Sequence, residues 1–337
     1  MIVRIIILCL ALLTTPAYAG ENIFIIGSYQ KEDLCGDPQL KGVNLAIEES
    51  GLHDTSVTSF FLHSRIISKQ DFAQKVQSIE QEIERKKPRV IITLDDPAFN
   101  AFAKTVLANP AMYLVFSGVN RSLTDYNKEL DFLNDTTPTK NITGVHEKLF
   151  MLEQMEFFEM LLNKLDKVAI LYSTDSMGMI IKDQIVNELK QTIYASRLEF
   201  FPVKYMQDLY AAADEINDRK NINAYLPLPL SIIDKSTGQK KTVEELAPLL
   251  IEKIHKPDLA LNKAFSKVGF LGGVSVDFHH MGHQAGTLAI KLLHGYNITK
   301  LKTENAGRHT ISLNKKRQGS LSLTIRDDIW NLLDEVY

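Results

Sequence analysis

Val268–Gly295 reads VGFLGGVSVDFHHMGHQAGTLAIKLLHG, and two periodicities divide it. Val268 to Val276 is an apolar run interrupted only by glycines and Ser275, the pattern of a buried strand. Met281, Ala285, Leu288, Ala289, Leu292 and Leu293 then recur at helical spacing, and Gly295 stands where a helix C-cap glycine belongs. A buried strand thus delivers Asp277 and Phe278 to the entrance of an amphipathic helix. Ligands of open α/β sheets bind outside the carboxyl ends of the strands, so both residues are candidate contacts. Gly269, Gly272 and Gly273 suit a strand that bends or that another surface approaches closely.

The same strand-to-helix rhythm runs through the chain. Ile23–Ser28, Val57–His63, Arg89–Leu94 and Tyr113–Ser117 read as strands, with helices over Leu40–Ser50, Lys69–Arg85 and DDPAFNAFAKTVL between them. After a polar, turn-rich stretch from Asn120 to Asn141 the rhythm returns. It gives helices at Leu149–Leu165, Gly178–Ile193, Asp208–Arg219 and Val243–Ile254, and strands at Lys167–Tyr172, Leu198–Val203 and Ala224–Leu230. Such alternation means βαβ units and parallel sheets. The polar stretch is the expected crossing between two domains. The tail, with alternating apolar residues from Thr310 to Ile325 around Lys315-Lys316-Arg317, reads as a hairpin with a solvated turn, followed by a short helix over Asp327–Tyr337.

The first residues read as an address. Arg4 supplies a positive n-region, Ile5–Leu13 an apolar h-region and Ala17-Tyr18-Ala19 a cleavage site before Gly20. Cys9 lacks a lipobox context, and no later stretch is long and apolar enough for a bilayer. A formal net charge of -3 gives no nucleic-acid footprint. Beyond the leader Cys35 is the one cysteine, so no intramolecular disulfide forms; it is a small buried side chain or a reactive thiol. The roughly 320 residues that remain exceed the size at which single cores stop growing, which points to two domains.

Two doubly wound α/β lobes behind an export signal resemble a type I periplasmic binding protein. The resemblance sharpens at GSY (Gly27–Tyr29), DDPAF (Asp95–Phe99), FSGVN (Phe116–Asn120), NITGV (Asn141–Val145), VAILYSTDS (Val168–Ser176) and the stretch that ends at Gly295. Their order and spacing are similar to the ABC-transporter substrate-binding family that includes the tryptophan- and tyrosine-binding components. That resemblance implies two three-layer lobes joined by crossing strands, with a ligand gripped between them. Residues 1–19 are then the signal peptide, 20–120 with 277–297 the first lobe, and 121–276 with 298–337 the second. It also implies a monomeric periplasmic receptor that uses no cofactor and hands a small ligand, an amino acid among the candidates, to an ABC permease of the inner membrane. A free-standing sensory receptor that engages a membrane kinase or chemoreceptor is the alternative.

Candidate contacts fall at strand ends. Ser28 and Tyr29 follow the first strand with a hydroxyl and a ring. Asp95 and Asp96 open a helix whose N-terminus favours negative charge; Asp96, before Pro97, reads as its N-cap, and Asp95 as cap or ligand contact. Phe99 offers a ring, and Ser117 and Asn120 offer hydrogen bonds at the end of the fourth strand. On the second lobe Thr174, Asp175 and Ser176 precede a helix that could hold a carboxylate on its amides, or merely cap it. Pro227, within YLPLPL, marks an edge or strand end and an apolar wall. Asp277 meets an ammonium or caps its helix. His279, His280 and His283 form HHMGH, which lacks the glutamate of H-E-x-x-H, so surface histidines are the plainer reading. No G-x-S-x-G elbow, P-loop or G-x-G-x-x-G after the first strand supports an enzyme. The leader makes one direct prediction: the intact mass of exported protein should begin at Gly20, and a retained Met1 or a lipid adduct would reject soluble export.

Overall fold

Strand residues of alternating direction set up the layers. Ile23 and Ile25 join the apolar cluster on one face of the first sheet, while Phe24 and Ile26 join the cluster on the other. The computed structural model describes residues 22–52 and 55–337, so the expected leader at 1–19 lies outside the described residues. In the first lobe β1 (Asn22–Gly27), α1 (Gly36–Glu49), β2 (Ser56–Phe61), α2 (Lys69–Lys86), β3 (Val90–Leu94), α3 (Asp95–Leu107), β4 (Tyr113–Val119) and α4 (Leu123–Leu130) follow in turn. A small hairpin of β5 (Leu133–Asn134) and β6 (Thr137–Pro138) leads into β7 (Ile142–His146). The second lobe contains α5 (Met151–Leu162), β8 (Lys167–Ser173), α6 (Ser176–Leu189), β9 (Leu198–Val203), α7 (Met206–Asp218) and β10 (Ile222–Pro227). It continues through β11 (Ser231–Ile233), β12 (Lys240–Thr242), α8 (Val243–Lys253), α9 (Lys263–Lys267) and β13 (Gly272–Val276). Next, α10 (Phe278–Leu293) and β14 (Glu304–Asn305) return to the first lobe. β15 (His309–Leu313), α11 (Lys315–Ser320), α12 (Asp327–Trp330) and β16 (Glu335–Val336) complete the second.

The first sheet is parallel throughout, in the order β14-β7-β4-β3-β1-β2. The second has β8 between β9 and β10. Single bridges from Tyr225 to Asp258 and from Leu259 to Gly272 carry it on to β13, β15 and β16. Helices cover both faces of each sheet, giving the doubly wound, three-layer lobes of the type I periplasmic binding fold. The chain passes between lobes three times: after β7, at Asp277 and between β14 and β15.

Two expectations change. The polar stretch after Asn120 is not the crossing, because its turn signals belong to α4 and the β5/β6 hairpin, and β7 then pairs with β4. The first lobe therefore extends to His146, and it also takes in β14 at 304–305. β10 ends its three-stranded sheet, with a single bridge from Tyr225 to Asp258 beyond it, and Pro227 is its last residue, at the strand end its sequence marks, where the missing N–H costs no ladder bond. The tail is not a hairpin. Lys315–Ser320 is helical, with Asn314 as the N-cap accepting from the Arg317 amide at 2.8 Å. Arg317 is buried, not solvated. Its Nε lies 2.6 Å from Asp258 Oδ1, and its Nη atoms donate to the carbonyls of Ile251, Ile254 and Lys256. β15 finds its partner in β13, which leaves Leu321 and Leu323 to pack on the core without a ladder.

The tightest helix contact joins α10 to α1. A methyl added at Gly282 would lie 2.1 Å from the Gln39 carbonyl oxygen, and one at Gly42 would lie 2.0 Å from that of His279. Only a residue without Cβ lets the two backbones approach so closely. Gly282→Ala should therefore destabilise the fold by about 1–3 kcal/mol through overpacking. Gly319→Ala on α11, where a methyl meets open space, should stay within about 0.5 kcal/mol of wild type in the same urea titration. Equal effects would mean that the helices can separate without cost.

Candidate ligand-binding cleft

The carboxyl ends of the first-lobe strands converge on one patch. Past β1 come Ser28, Tyr29 and the loop to Cys35; past β2 comes Arg65; past β3, β4 and β7 come Asp95, Asn120 and Glu147. Asp33 organises the first loop. Its Oδ1 accepts from the amides of Cys35 and Gly36, opening α1, and its Oδ2 lies 2.7 Å from Arg65 Nη1. The Arg65 guanidinium in turn covers the Tyr29 ring, 3.7 Å from its centroid.

Asp95 is the most constrained residue of the patch. Its φ of 67° is left-handed, an uncommon state for a residue with a Cβ, and it is 3% exposed. Its Oδ1 accepts from Gln39 Nε2 at 3.0 Å, and Gln39 Oε1 accepts from Ser117 Oγ at 2.7 Å. Gly118, at φ 77°, makes room: a methyl there would lie 2.9 Å from Asp95 Oδ1 and 2.8 Å from Gln39 Oε1. Asp95 Oδ2 is buried and has no partner among the described residues. Burial pushes this carboxyl up to about 8; the Gln39 bond and the Arg65 charge work against that, and the Asp33 charge with it. Burial also pushes Glu147 well up, and the charge of Asp95 adds to it. Burial raises the Tyr29 phenol and the Cys35 thiol too, which disfavours a thiolate at the half-buried Cys35.

Second-lobe groups close over this patch. Asn120 Nδ2 donates to Gln184 Oε1 on α6 at 3.1 Å, and Gln184 Nε2 donates to the Glu147 carbonyl at 2.6 Å. Asn262 Nδ2 reaches the Leu34 carbonyl at 3.4 Å and Cys35 Sγ at 3.3 Å. Leu34 packs against the outer core of the second lobe. The lobes meet on the acids.

Several sequence candidates have structural work instead. Ser28 Oγ donates to the Leu94 carbonyl at 2.5 Å and accepts from the Ala98 amide at 2.9 Å, so it caps α3 from the neighbouring strand. Asp96 is not the N-cap of α3; Leu94 holds that position. Asp96 instead accepts from the amides of Asn120 and Arg121 and from Tyr126 Oη at 2.8, 3.2 and 2.6 Å, fixing the loop after β4. Phe99 is fully buried, edge-on to Phe116 and Tyr126 on the outer face of the sheet, away from Gln39 and α10. Ser117 is occupied by Gln39. Thr174, Asp175 and Ser176 are exposed, and Asp175 caps α6 by accepting from the Gly178 amide at 2.9 Å. Pro227 is buried, as is Phe278 within the core. Asp277 caps α10, its Oδ1 accepting from the His280 amide at 3.0 Å. His283 Nε2 lies 2.8 Å from Glu49, and no group of three His, Cys, Asp or Glu suits a metal among the described residues.

Tyr29, Asp95 and Asn120 are thus gathered at the cleft with residues that sequence reasoning passed over: Asp33, Gln39, Arg65, Glu147, Gln184 and Asn262. The strand-end rule covers Arg65 and Glu147 once β2 and β7 are bounded correctly. For Gln39, on a helix face, no sequence signal exists.

Among curated proteins no sequence matches the chain. Solved structures share its fold. One is an ABC domain from Streptococcus pneumoniae in complex with L-Trp, 17% identical, with a TM-score of 0.69 over 94% of this chain and 100% of that one. Another is a ligand-free, open substrate-binding protein with adhesive properties from Clostridium difficile, 13% identical, with a TM-score of 0.68 over 94% and 99%. A leucine-binding protein from Thermotoga maritima is more distant, 11% identical, with a TM-score of 0.55 over 82% and 83%. Among the described residues no helix is long and apolar enough to cross a membrane. Residues 35–337 match the family of ABC transporter substrate binding proteins, and the chain belongs to that family of ligand-binding transport components.

Proposed function

We propose that this protein is the periplasmic receptor of an ABC importer, which clasps a small ligand between its lobes and presents it to a permease. The observation that carries the reading is Asp95 Oδ2, a buried acceptor with no partner among the described residues, at the place where the lobes meet. A buried polar atom left unpaired costs free energy, and a ligand donor would relieve that cost on closure. The export leader agrees with a periplasmic location. An amino acid is a natural first candidate, with its ammonium at Asp95 and its apolar part near Tyr29. Structures of similar fold include an L-Trp complex and a leucine-binding protein.

Hinge closure makes the first test. A ligand found by thermal-shift screening should stabilise the protein by about 2.7 kcal/mol at a hundred times its Kd, and small-angle scattering should show a smaller radius of gyration. An unchanged radius with a tight ligand would reject clasping. The second test separates site from scaffold. Asp95→Asn retains a side chain that tolerates positive φ, yet should weaken binding ten- to a hundredfold through loss of a charged hydrogen bond. Asp277→Ala should lose about 1 kcal/mol of stability with its cap and leave affinity unaltered. Calorimetry showing the reverse would move the site to α10.

A further inference from the structure

Charge counting around Asp95 goes further than the receptor reading, on which it rests. Three of the buried or half-buried acids near the cleft are already answered. Asp33 holds Arg65; Asp96 accepts two backbone amides and a phenol; Glu188 on α6 accepts the amides of Leu149 and Met151 at 2.7 and 3.1 Å. Asp95 and Glu147 have no cation. Among the described residues Asp95 has one amide donor on Oδ1 and none on Oδ2, while Glu147 takes a hydrogen bond from the Asn120 side chain and feels the charge of Asp95. The cations within reach are taken as well: Arg65 by Asp33, Lys148 by Glu153 at 2.7 Å, and Arg121 by Glu129. The other titratable groups facing the pair are Tyr29 and Cys35, both held neutral by burial, and His146 beside Asp96, which burial also keeps neutral. Among the described residues the cleft therefore has two acids without a cation and no free cation for a ligand carboxylate.

We infer that the cleft takes an organic cation, a ligand of net positive charge whose ammonium lies between Asp95 and Glu147, and that loading releases a proton. Without a ligand a buried, unpaired carboxyl keeps its hydrogen. When the ammonium enters, the Asp95 O–H bond breaks, the proton passes to solvent, and an N–H of the ligand donates to the carboxylate. One positive charge replaces another, so no net charge is buried in the exchange. The αL backbone and the Gln39 bond hold the Oδ2 atom where that donor must arrive. With Asp95 pushed up to about 8, only the ionised fraction accepts the cation, and that fraction falls with pH.

The test is a panel of probes that differ in charge: tryptamine and putrescine as cations, L-tryptophan and L-leucine as zwitterions, indole-3-propionate as an anion. Thermal shift ranks them, scattering reports closure, and calorimetry in phosphate and in Tris counts protons. A cation should bind at least tenfold tighter than its matched zwitterion and release about one proton at pH 7. Its affinity should fall about 50-fold from pH 8 to pH 6. Asp95→Asn should bind more weakly and flatten the pH profile; should that variant fold poorly, Glu147→Gln should bind the cation more weakly while the profile set by Asp95 persists. If L-tryptophan or the anion matches tryptamine, or a cation binds with no proton exchanged, the proposal falls while ligand-induced closure keeps the receptor reading standing. If amines, amino acids, sugars and carboxylates all leave the melting temperature and radius unchanged, the receptor reading falls with it.

Discussion

The contact between α1 and α10 governs the cleft. Gly42, Gly282 and Gly286 leave no Cβ between the two helices, so backbone packs on backbone. α10 is the segment that returns from the second lobe, and this seam fixes how it lands on the first. The same seam sets Gln39, whose carbonyl oxygen fills the space where Gly282 lacks a side chain. Gln39 then reaches both Asp95 and Ser117, joining the ends of β3 and β4. A shift of one helix past the other would move the amide that holds the Asp95 carboxylate.

Asp95 combines features that a purely structural residue would avoid. A left-handed backbone costs of order 1–3 kcal/mol and persists where its surroundings over-determine it. Gly118 is left-handed beside it to admit Oδ1 and the Gln39 amide. Its neighbour Asp96 shows the contrast. Both carboxyls are buried at the start of α3, yet each Asp96 oxygen has a partner, whereas among the described residues Asp95 Oδ2 has none. The same strand end thus supplies one acid for folding and one that remains unanswered in the absence of a ligand.

Periodicity made the layers readable from sequence. Val274 and Val276 in the strand, and Met281, Ala285, Leu288, Ala289, Leu292 and Leu293 in the helix, are buried as their spacing required. Asp277 and Asp175 illustrate the limit: a carboxylate before a helix serves equally as cap or contact, and only the distance to the His280 or Gly178 amide decides. The boundary after Asn120 was misplaced because α4 and a two-residue hairpin carry the same turn chemistry as an interdomain linker. Arg317 was hidden for a different reason. Its charge reads as solvated in a basic run, whereas Asp258, 59 residues away in sequence, is what allows its burial. Arg65 stands just past the second strand but was passed over, Glu147 follows β7, a strand that the polar stretch hid, and Gln39 on a helix face gave no signal.

The position of Glu147 ties recognition to movement. It stands on the first crossing, directly after β7, and its amide donates to the Val119 carbonyl at 3.0 Å. The other two crossings meet nearby, where Asp277 N donates to the Arg308 carbonyl at 3.0 Å and Ala306 N to that of His146 at 2.8 Å. The backbone carbonyl of Glu147 also accepts from Gln184 of the second lobe, whose Oε1 accepts from Asn120 of the first. A group that engages the Glu147 side chain therefore acts on the hinge itself, while Asp95 belongs to the rigid first lobe. A ligand cation that spans the two carboxyls binds only the arrangement in which they face one another. Its differential affinity for that arrangement is the free energy available to hold the lobes shut.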